Sequence, residues 1–424
     1  MKRRIGIALA TAVALMGVLL LSLCVVLATQ TGSRWLLGWV PGLEIEAFQG
    51  SLLRQWQADR LQWTDGEGTQ VDAQNVHFAL KPRCLFSLRL CVQQLNVNVL
   101  TLTVPESEAS ETEEPVILPE IELPLSIMLS HAHLGEFVLN GESLLKEFSA
   151  QIELTGDRLN IRSLAVHYDP YALQAQGSLT LRQQWPLELQ LTASGTVDEL
   201  GEQEVRINAS GSVAELQLMG QLQGTLTGTL QAQMQPLAVA IPAELKLELS
   251  SLQLQALLPE FMAVQQLSAS LRGDLQQGYA AQYATQLTSH AQPLILQGSG
   301  RLTEQDFSEL QASLLQSEHE LAQLNGYLDW ADTFRAHAQL QLHAADWNTL
   351  VGLSDIDASL ERLQAQANYT AEGYQANMEA ELQGPLGAMQ MQLSVQGDEQ
   401  QAELTEFKLH AGAGSLQGSA KVEF

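Results

Sequence analysis

Between Leu216 and Met234 the chain reads LQLMGQLQGTLTGTLQAQM, and this stretch narrows the possible folds more than any other. Its even positions are Leu216, Leu218, Gly220, Leu222, Gly224, Leu226, Gly228, Leu230, Ala232 and Met234, while its odd positions are Gln or Thr apart from Met219. Side chains alternate across a sheet with period two, so the run predicts strand with one apolar or small face and one neutral, polar face. The leucines also fall four apart, which suits a helix. Glycine at every fourth position would cost a helix about 1 kcal/mol each, and the interleaved threonines add to that penalty. Fully extended, the run would span roughly 60 Å at about 3.3 Å per residue, beyond a typical strand, so the glycines are expected to mark bends or a turn.

The chain has 424 residues, more than one ordinary core serves, so several domains or one elongated repeat are expected. Hydrophobic residues make up 46%, which excludes general disorder, yet aromatics are only 6% and bulky core fillers are scarce. Lys and Arg number 21 against 48 Asp and Glu, and the resulting charge of −27 opposes binding to a phosphate backbone. Nucleic acid is excluded as an expected partner.

Residues 1–4 (MKRR) precede an apolar run over 5–28, broken only by Thr11, Ser22 and some Gly. As a helix this run would be about 36 Å long, enough to cross a hydrocarbon core of about 30 Å. The basic cluster then belongs in the cytoplasm and the remainder is exported. A cleaved signal peptide, with Val26-Leu27-Ala28 as its site, competes, although its apolar region would be longer than the usual 7–15 or so residues. A lipoprotein reading of Leu21-Ser22-Leu23-Cys24 is weaker, since Leu23 stands where a small residue is needed. Residues 29–43 follow as an interfacial segment, with Trp35 and Trp39 at the depth aromatic side chains favour. Pro41-Gly42 is expected to end any helix, and short alternating segments such as Leu43-Glu44-Ile45-Glu46 and Val71-Asp72-Ala73 open a first β module over 44–104. Cys84 and Cys91 bracket LFSLRL within it: an oxidising compartment would allow a disulfide-stapled hairpin, and the alternative is two buried thiols.

The membrane anchor, Trp39-Val40-Pro41-Gly42-Leu43, Gly50-Ser51-Leu52-Leu53 and the Cys84/Cys91 pair, in that order and spacing, resemble the start of the TamB family. That family belongs to the AsmA-like group of bridge-like lipid transfer proteins and supplies the inner-membrane subunit of the translocation and assembly module. The WVPGL box is the most specific element, and the resemblance continues along the chain as pattern after about residue 120. It implies an inner-membrane-anchored periplasmic groove that carries phospholipid acyl chains between the inner and outer membranes. It also implies an outer-membrane partner, TamA, and a part in outer-membrane protein and autotransporter assembly and secretion. Leu216, Leu218, Leu222, Leu226, Leu230 and Met234 are then the candidate lipid-lining residues. Family members are usually longer and finish in a β-rich C-terminal domain that has no counterpart here.

Residues 105–119 (PESEASETEEPVILP) carry Glu106, Glu108, Glu111, Glu113 and Glu114 and read as an acidic linker. Regular calcium-ligand spacing is missing from it. Over 120–424 a loose phrase recurs: Gln176-Gly177 and Asn325-Gly326 each open an alternating strand, and Trp185 and Phe334 precede another. Serial antiparallel hairpins of irregular spacing are expected, with short helices around Leu254 to Leu267 and Trp347 to Leu353 capping a sheet edge. The same phrase restarts at Gln417-Gly418 and breaks off at Phe424, so a truncated gene model, a sequencing fragment or the first piece of a split gene is expected.

The fold class expected is therefore mainly β: an N-terminal transmembrane helix, then an elongated curled sheet forming an open groove. A membrane-anchored closed β-sandwich or adhesin-like domain is the alternative. Motifs for catalysis, cofactor or metal are not found: there is no phosphate loop, and Gly298-Ser299-Gly300 lacks a third glycine. His131 and His133 would share a strand face without a third ligand and are expected to face solvent. The scattered carboxylates read as a solvated face that keeps an edge-rich protein soluble, so the chain is expected not to be an enzyme.

Overall fold

Alternation in the sequence becomes strand along most of the chain. The computed structural model describes residues 22, 25–66, 68–105, 117–197, 201–252, 262–289, 292–345, 347, 350, 359–385, 387–398, 400–412 and 414–423. Two compact units are present, one comprising Met1–Gly195 with Arg206–Val213 and the other Thr196–Val205 with Ala214–Phe424.

In the first unit α1 (Gln30–Leu37) is capped by Thr29, whose side chain accepts from Gly32 N, and it stops at Gly38, before Pro41-Gly42. It packs against the turn that follows β1 (Leu43–Glu46) and β2 (Gln49–Gly50): Ser33, fully buried, donates to Leu27 O and accepts from Leu52 N, both at 3.1 Å. The sheet continues through β3 (Gln55–Thr64), β4 (Gln70–Leu80), a 3-10 helix (Pro82–Ser87), β5 (Arg89–Thr103), β6 (Ser126–Leu139), β7 (Glu142–Thr155), β8 (Arg158–Tyr168), β9 (Tyr171–Thr180) and β10 (Pro186–Val197). Most pairs are antiparallel. The exception corrects the expectation of hairpins throughout: β5 and β6 pair in parallel from Arg89↔Ser126 to Leu102↔Leu139. A parallel pair needs a crossover of a dozen or more residues, and 104–125 supplies it. The acidic segment therefore joins two adjacent parallel strands, and its downstream end is held by Trp185 Nε1–Pro119 O at 3.0 Å and Ile121 N–Leu181 O at 2.9 Å. Residues 106–116 lie outside the described residues.

After β11 (Gly201–Ser212), the second unit is a meander of β12 (Leu216–Gly224), β13 (Leu226–Met234), β14 (Ala243–Leu252), β15 (Met262–Asp274), β16 (Gly278–Ser289), β17 (Gln292–Leu302), β18 (Asp306–Gln316), β19 (His319–Asp329), β20 (Arg335–Leu342), β21 (Ser359–Thr370), β22 (Gly373–Gly384), β23 (Gly387–Gly397), β24 (Gln401–Ala411) and β25 (Gly414–Glu423). Each pairs antiparallel with the next. The opening run folds back at Gly224, whose φ of +137° few other residues adopt, so it forms two paired strands.

Among the described residues, substantial contacts within each unit run only between hydrogen-bonded neighbours. Among the described residues no second sheet packs on either one, contrary to the closed-sandwich alternative. Bulky cores are correspondingly small: among the described residues Leu294, 2% exposed, is the one large apolar side chain that is fully buried. Expected helix is corrected at one place. From Met262 to Leu267 the chain is strand, because pairing with β16 claims it, and 253–261 lie outside the described residues. Trp347 and Leu350 are helical and pack with Leu287, Leu294 and Leu321, near the ends of β16, β17 and β19; 348, 349 and 351–353 lie outside the described residues. Among the described residues no helix is long and apolar enough to cross a membrane, and the expected anchor over 5–28 lies outside them except for Ser22 and residues 25–28.

Candidate functional site

Register, more than composition, builds the candidate site. Starting at Gly220 and stepping to the residue opposite on each next strand gives Leu230, Leu247, Ala269, Tyr283, Gly298, Ala312, Leu324, Leu340, Ala365, Met378, Leu393, Phe407 and Gly418. Every position from β12 to β25 is apolar or glycine, and none carries a formal charge. A second row begins at Leu222 and runs through Gly228, Leu249 and Leu267 to Leu296, Leu314 and onward to Leu409 and Leu416, interrupted only by Thr285. That threonine is buried and donates to Gln266 O at 2.8 Å, so its hydroxyl does not present an unpaired donor to the face.

The neighbouring row is its opposite. Stepping from Gln221 gives Thr229, Glu248, Ser268, Ala284, Gln297, Ser313, Gln323, Gln341, Gln364, Glu379, Gln392, Lys408 and Gln417. A one-residue slip at any pair would exchange the two faces, and the bulges that do occur preserve the separation. Along the first apolar row the side chains up to Phe407 are buried or half-buried, although only their own strand neighbours surround them. At a spacing of about 4.8 Å per strand the row has a contour of roughly 60 Å.

All six lining residues expected from the sequence share this face. Leu216, Leu218, Leu222, Leu226, Leu230 and Met234 are half-buried, whereas Gln217, Gln221, Thr229 and Gln233 are exposed. Large faces small across the pair, with Leu222 opposite Gly228, Leu218 opposite Ala232 and Leu230 opposite Gly220. Thr225 sits in the turn at Gly224 and is not on the polar face. The sequence reading missed the aromatic and sulfur members, Tyr283, Met378 and Phe407, and the extent of the track. Their signal was alternation with Gln and Glu, as in Met389-Gln390-Met391-Gln392-Leu393, but pairing was needed to align one strand with the next.

Part of the track is covered. Trp347 and Leu350 pack with Leu287, Leu294, Leu296, Leu314 and Leu321, and Ser289, fully buried, donates to Leu350 O at 2.5 Å. A hollow of about 560 Å³ in the same unit is lined both from polar positions, among them Glu248, Ser268, Gln282 and Gln297, and by Leu247, Ala269, Tyr283, Gly298 and Ala312 of the apolar row. Burial pushes the Tyr283 phenol above its ordinary pKa, so it remains a neutral group on the face.

The first unit repeats the device on a smaller scale. Trp56, Phe78, Leu95, Ala132, Ala150, Leu164, Ala175 and Leu191 form a cross-strand row from β3 to β10. Its polar neighbour passes through Gln57, His77, Asn96, His133 and Ser149, and both His131 and His133 are exposed. Trp35 and Trp39 stand 57% and 70% exposed with ring centroids 4.8 Å apart. Cys84 and Cys91 are bonded, their Cα atoms 6.0 Å apart.

Such an arrangement offers a continuous, uncharged apolar surface one sheet thick, backed by a solvated face. The family sequence model described as "TamB, N-terminal domain" matches residues 19–143 and 115–352. Neither the curated proteins nor the solved structures give a match.

Proposed function

The chain belongs to the TamB N-terminal domain family, and from that premise we propose that its apolar rows are a track on which phospholipid acyl chains cross the periplasm between inner and outer membranes. The observation that carries this is the row from Gly220 to Gly418, fourteen strands long without an ionisable carboxylate or amine and without a covering layer among the described residues. An apolar face of that extent left to water would be strongly unfavourable at about 25 cal/mol per Å². Acyl chains remove that exposure, while the Gln, Thr and Glu rows stay in water. An acyl chain occupies about half of a 30 Å hydrocarbon core, so the track holds several in succession. Interleaved Gly and Ala leave room for guests where a self-filled core would need bulk.

Residues 5–28 serve in this reading as a single-pass inner-membrane anchor with the bulk of the chain periplasmic. TamA is the outer-membrane partner, and the chain supports outer-membrane protein and autotransporter assembly and secretion. The role is non-catalytic and needs no cofactor.

Lipid extracted from the purified full chain tests the reading. Phospholipid should copurify with the native chain and be reduced several-fold by Leu230→Asp, because an unpaired charge on an apolar surface costs several kcal/mol or draws in water. Thr229→Asp, on the opposite face, should leave the lipid content unchanged. Lipid-free native protein, or equal loss in both variants, would refute the track.

A further inference from the structure

The segment Lys81–Cys91 is unlike the rest of the chain. It reads KPRCLFSLRLC, with three basic residues and no acid, in a protein whose acids outnumber its bases 48 to 21. Lys81, Arg83 and Arg89 are exposed, and none enters an ion pair among the described residues. Between them Phe86 is 94% exposed, Leu88 73% and Leu85 42%. Phe86 is the most exposed bulky apolar side chain among the described residues.

This exposure belongs to a fixed shape. The 3-10 helix Pro82–Ser87 ends at Leu88 in the left-handed region with φ +52°, and the Cys84–Cys91 bond closes the segment at its base. Lys81 N donates to Cys91 O at 2.9 Å, and Ser126 N to Leu88 O at 3.1 Å. A tip held at both ends cannot fold Phe86 back onto the sheet, and it meets a partner with little ordering entropy left to lose.

Its position is equally specific. Leu80 N donates to Arg54 O, and the adjacent Leu53 N donates to Leu27 O at 3.2 Å. Two backbone links therefore join the base of the tip to Leu27, at the end of the apolar run that the anchored reading puts in the bilayer. Exposed Arg54 adds a fourth positive charge at this end of the sheet.

We propose that this disulfide-stapled tip docks on the anionic lipid surface of the membrane that holds the anchor, with Leu85, Phe86 and Leu88 entering the interface and Lys81, Arg83 and Arg89 against the phosphates. Apolar insertion flanked by basic side chains is the chemistry of interfacial anchoring, and the basic charge is complementary to anionic headgroups where the chain as a whole is repelled by them. A second contact beside the anchor fixes the orientation of the first sheet against the bilayer, which a single helix leaves free to rotate. The inference rests on the anchored part of the functional reading and is independent of the apolar track.

The full chain is reconstituted into vesicles of phosphatidylethanolamine and phosphatidylglycerol, with a photo-crosslinking residue at Phe86, at Val25 in the anchor, or at Met219, which is 62% exposed on the polar face. Lipid capture at Phe86 should exceed that at Met219 about tenfold or more. Lys81→Gln, Arg83→Gln and Arg89→Gln together should lower capture at Phe86 about tenfold or more, with no comparable loss in vesicles of phosphatidylethanolamine and phosphatidylcholine. These side chains are exposed, and recovery of the Cys84–Cys91 bond verifies that each variant has folded. Capture at Val25 with no excess at Phe86 over Met219 would overturn the docking tip while leaving the anchor standing. Capture at neither Val25 nor Phe86 would remove the anchor and this inference together, and a charge-independent signal at Phe86 would overturn the anionic surface as the partner.

Discussion

Tyr283 lies over Gly298. The two are register partners across β16 and β17, and a methyl group at Gly298 would fall 2.6 Å from the Tyr283 Cζ and hydroxyl and 2.4 Å from Gln311 O. The ring thus covers backbone where its partner has no side chain, a pairing that recurs at Tyr374 with Gly397. Apolar continuity on this face is made between strands, by large residues reaching over small ones.

Gly298→Ala should therefore destabilise the second unit by about 1–3 kcal/mol, since the neighbouring β18 carbonyl and the ring must both shift. At Gly418 an added Cβ meets nothing within 4 Å, and Gly418→Ala should fall within about 0.5 kcal/mol of the native chain. Denaturant unfolding followed by amide exchange in β16 to β18 separates the two.

Leu294 belongs to the apolar face but is only 2% exposed, because Trp347 and Leu350 pack over this region. A photo-crosslinker at Leu294 should capture little lipid in the native chain. Trp347→Ala with Leu350→Ala should raise capture there several-fold, by opening a covered part of the track rather than creating a new one. Strong capture at Leu294 in the native chain would mean that the helical segment does not shield it.

What the sequence disclosed and withheld follows from how far each signal reaches. Period-two alternation is local, so strand at Leu216–Met234, the reversal at its glycines and the sidedness of Leu222 against Gln221 could all be read directly. Pairing is not local. Nothing in Pro105–Pro119 says that the strands on either side of it, β5 and β6, lie side by side in parallel. Leu267 looked helical by its own neighbours, yet Leu249 on one side and Thr285 on the other hold it in a ladder. The candidate site was legible in kind at six residues of β12 and β13, while its course through Tyr283, Met378 and Phe407 depended on register across bulges.

Removal of the disulfide by Cys84→Ser with Cys91→Ser should cost about 2–3 kcal/mol locally, from the entropy of an unclosed short loop. Faster amide exchange and protease cleavage are expected within 81–91, with β12 to β25 unaffected. Uniform loosening of both units would contradict a local staple.

The Arg60 guanidinium, with Nε 3.0 Å from Asp72 Oδ2, holds the Asp72 carboxyl below its ordinary pKa of 3.8, helped by a hydrogen bond from Gln62. A depressed folded-state pKa gives stability that is fully present above the unfolded value and is lost as pH falls through the folded value below it. Arg60 is 42% exposed, so solvent screening keeps the contribution small. Asp72→Asn should abolish that part of the acid loss in β3 and β4, seen by amide exchange below about pH 4, and leave stability near neutrality lower by a similar amount.

The most direct test of the track compares adjacent residues that face opposite ways. With a photo-crosslinking side chain placed in cells at Leu222, Leu226 or Leu230, phospholipid should be captured, whereas at Gln223 or Thr229, exposed on the other face, it should not. Equal capture on both faces, or none at the three leucines, would contradict an apolar track for acyl chains.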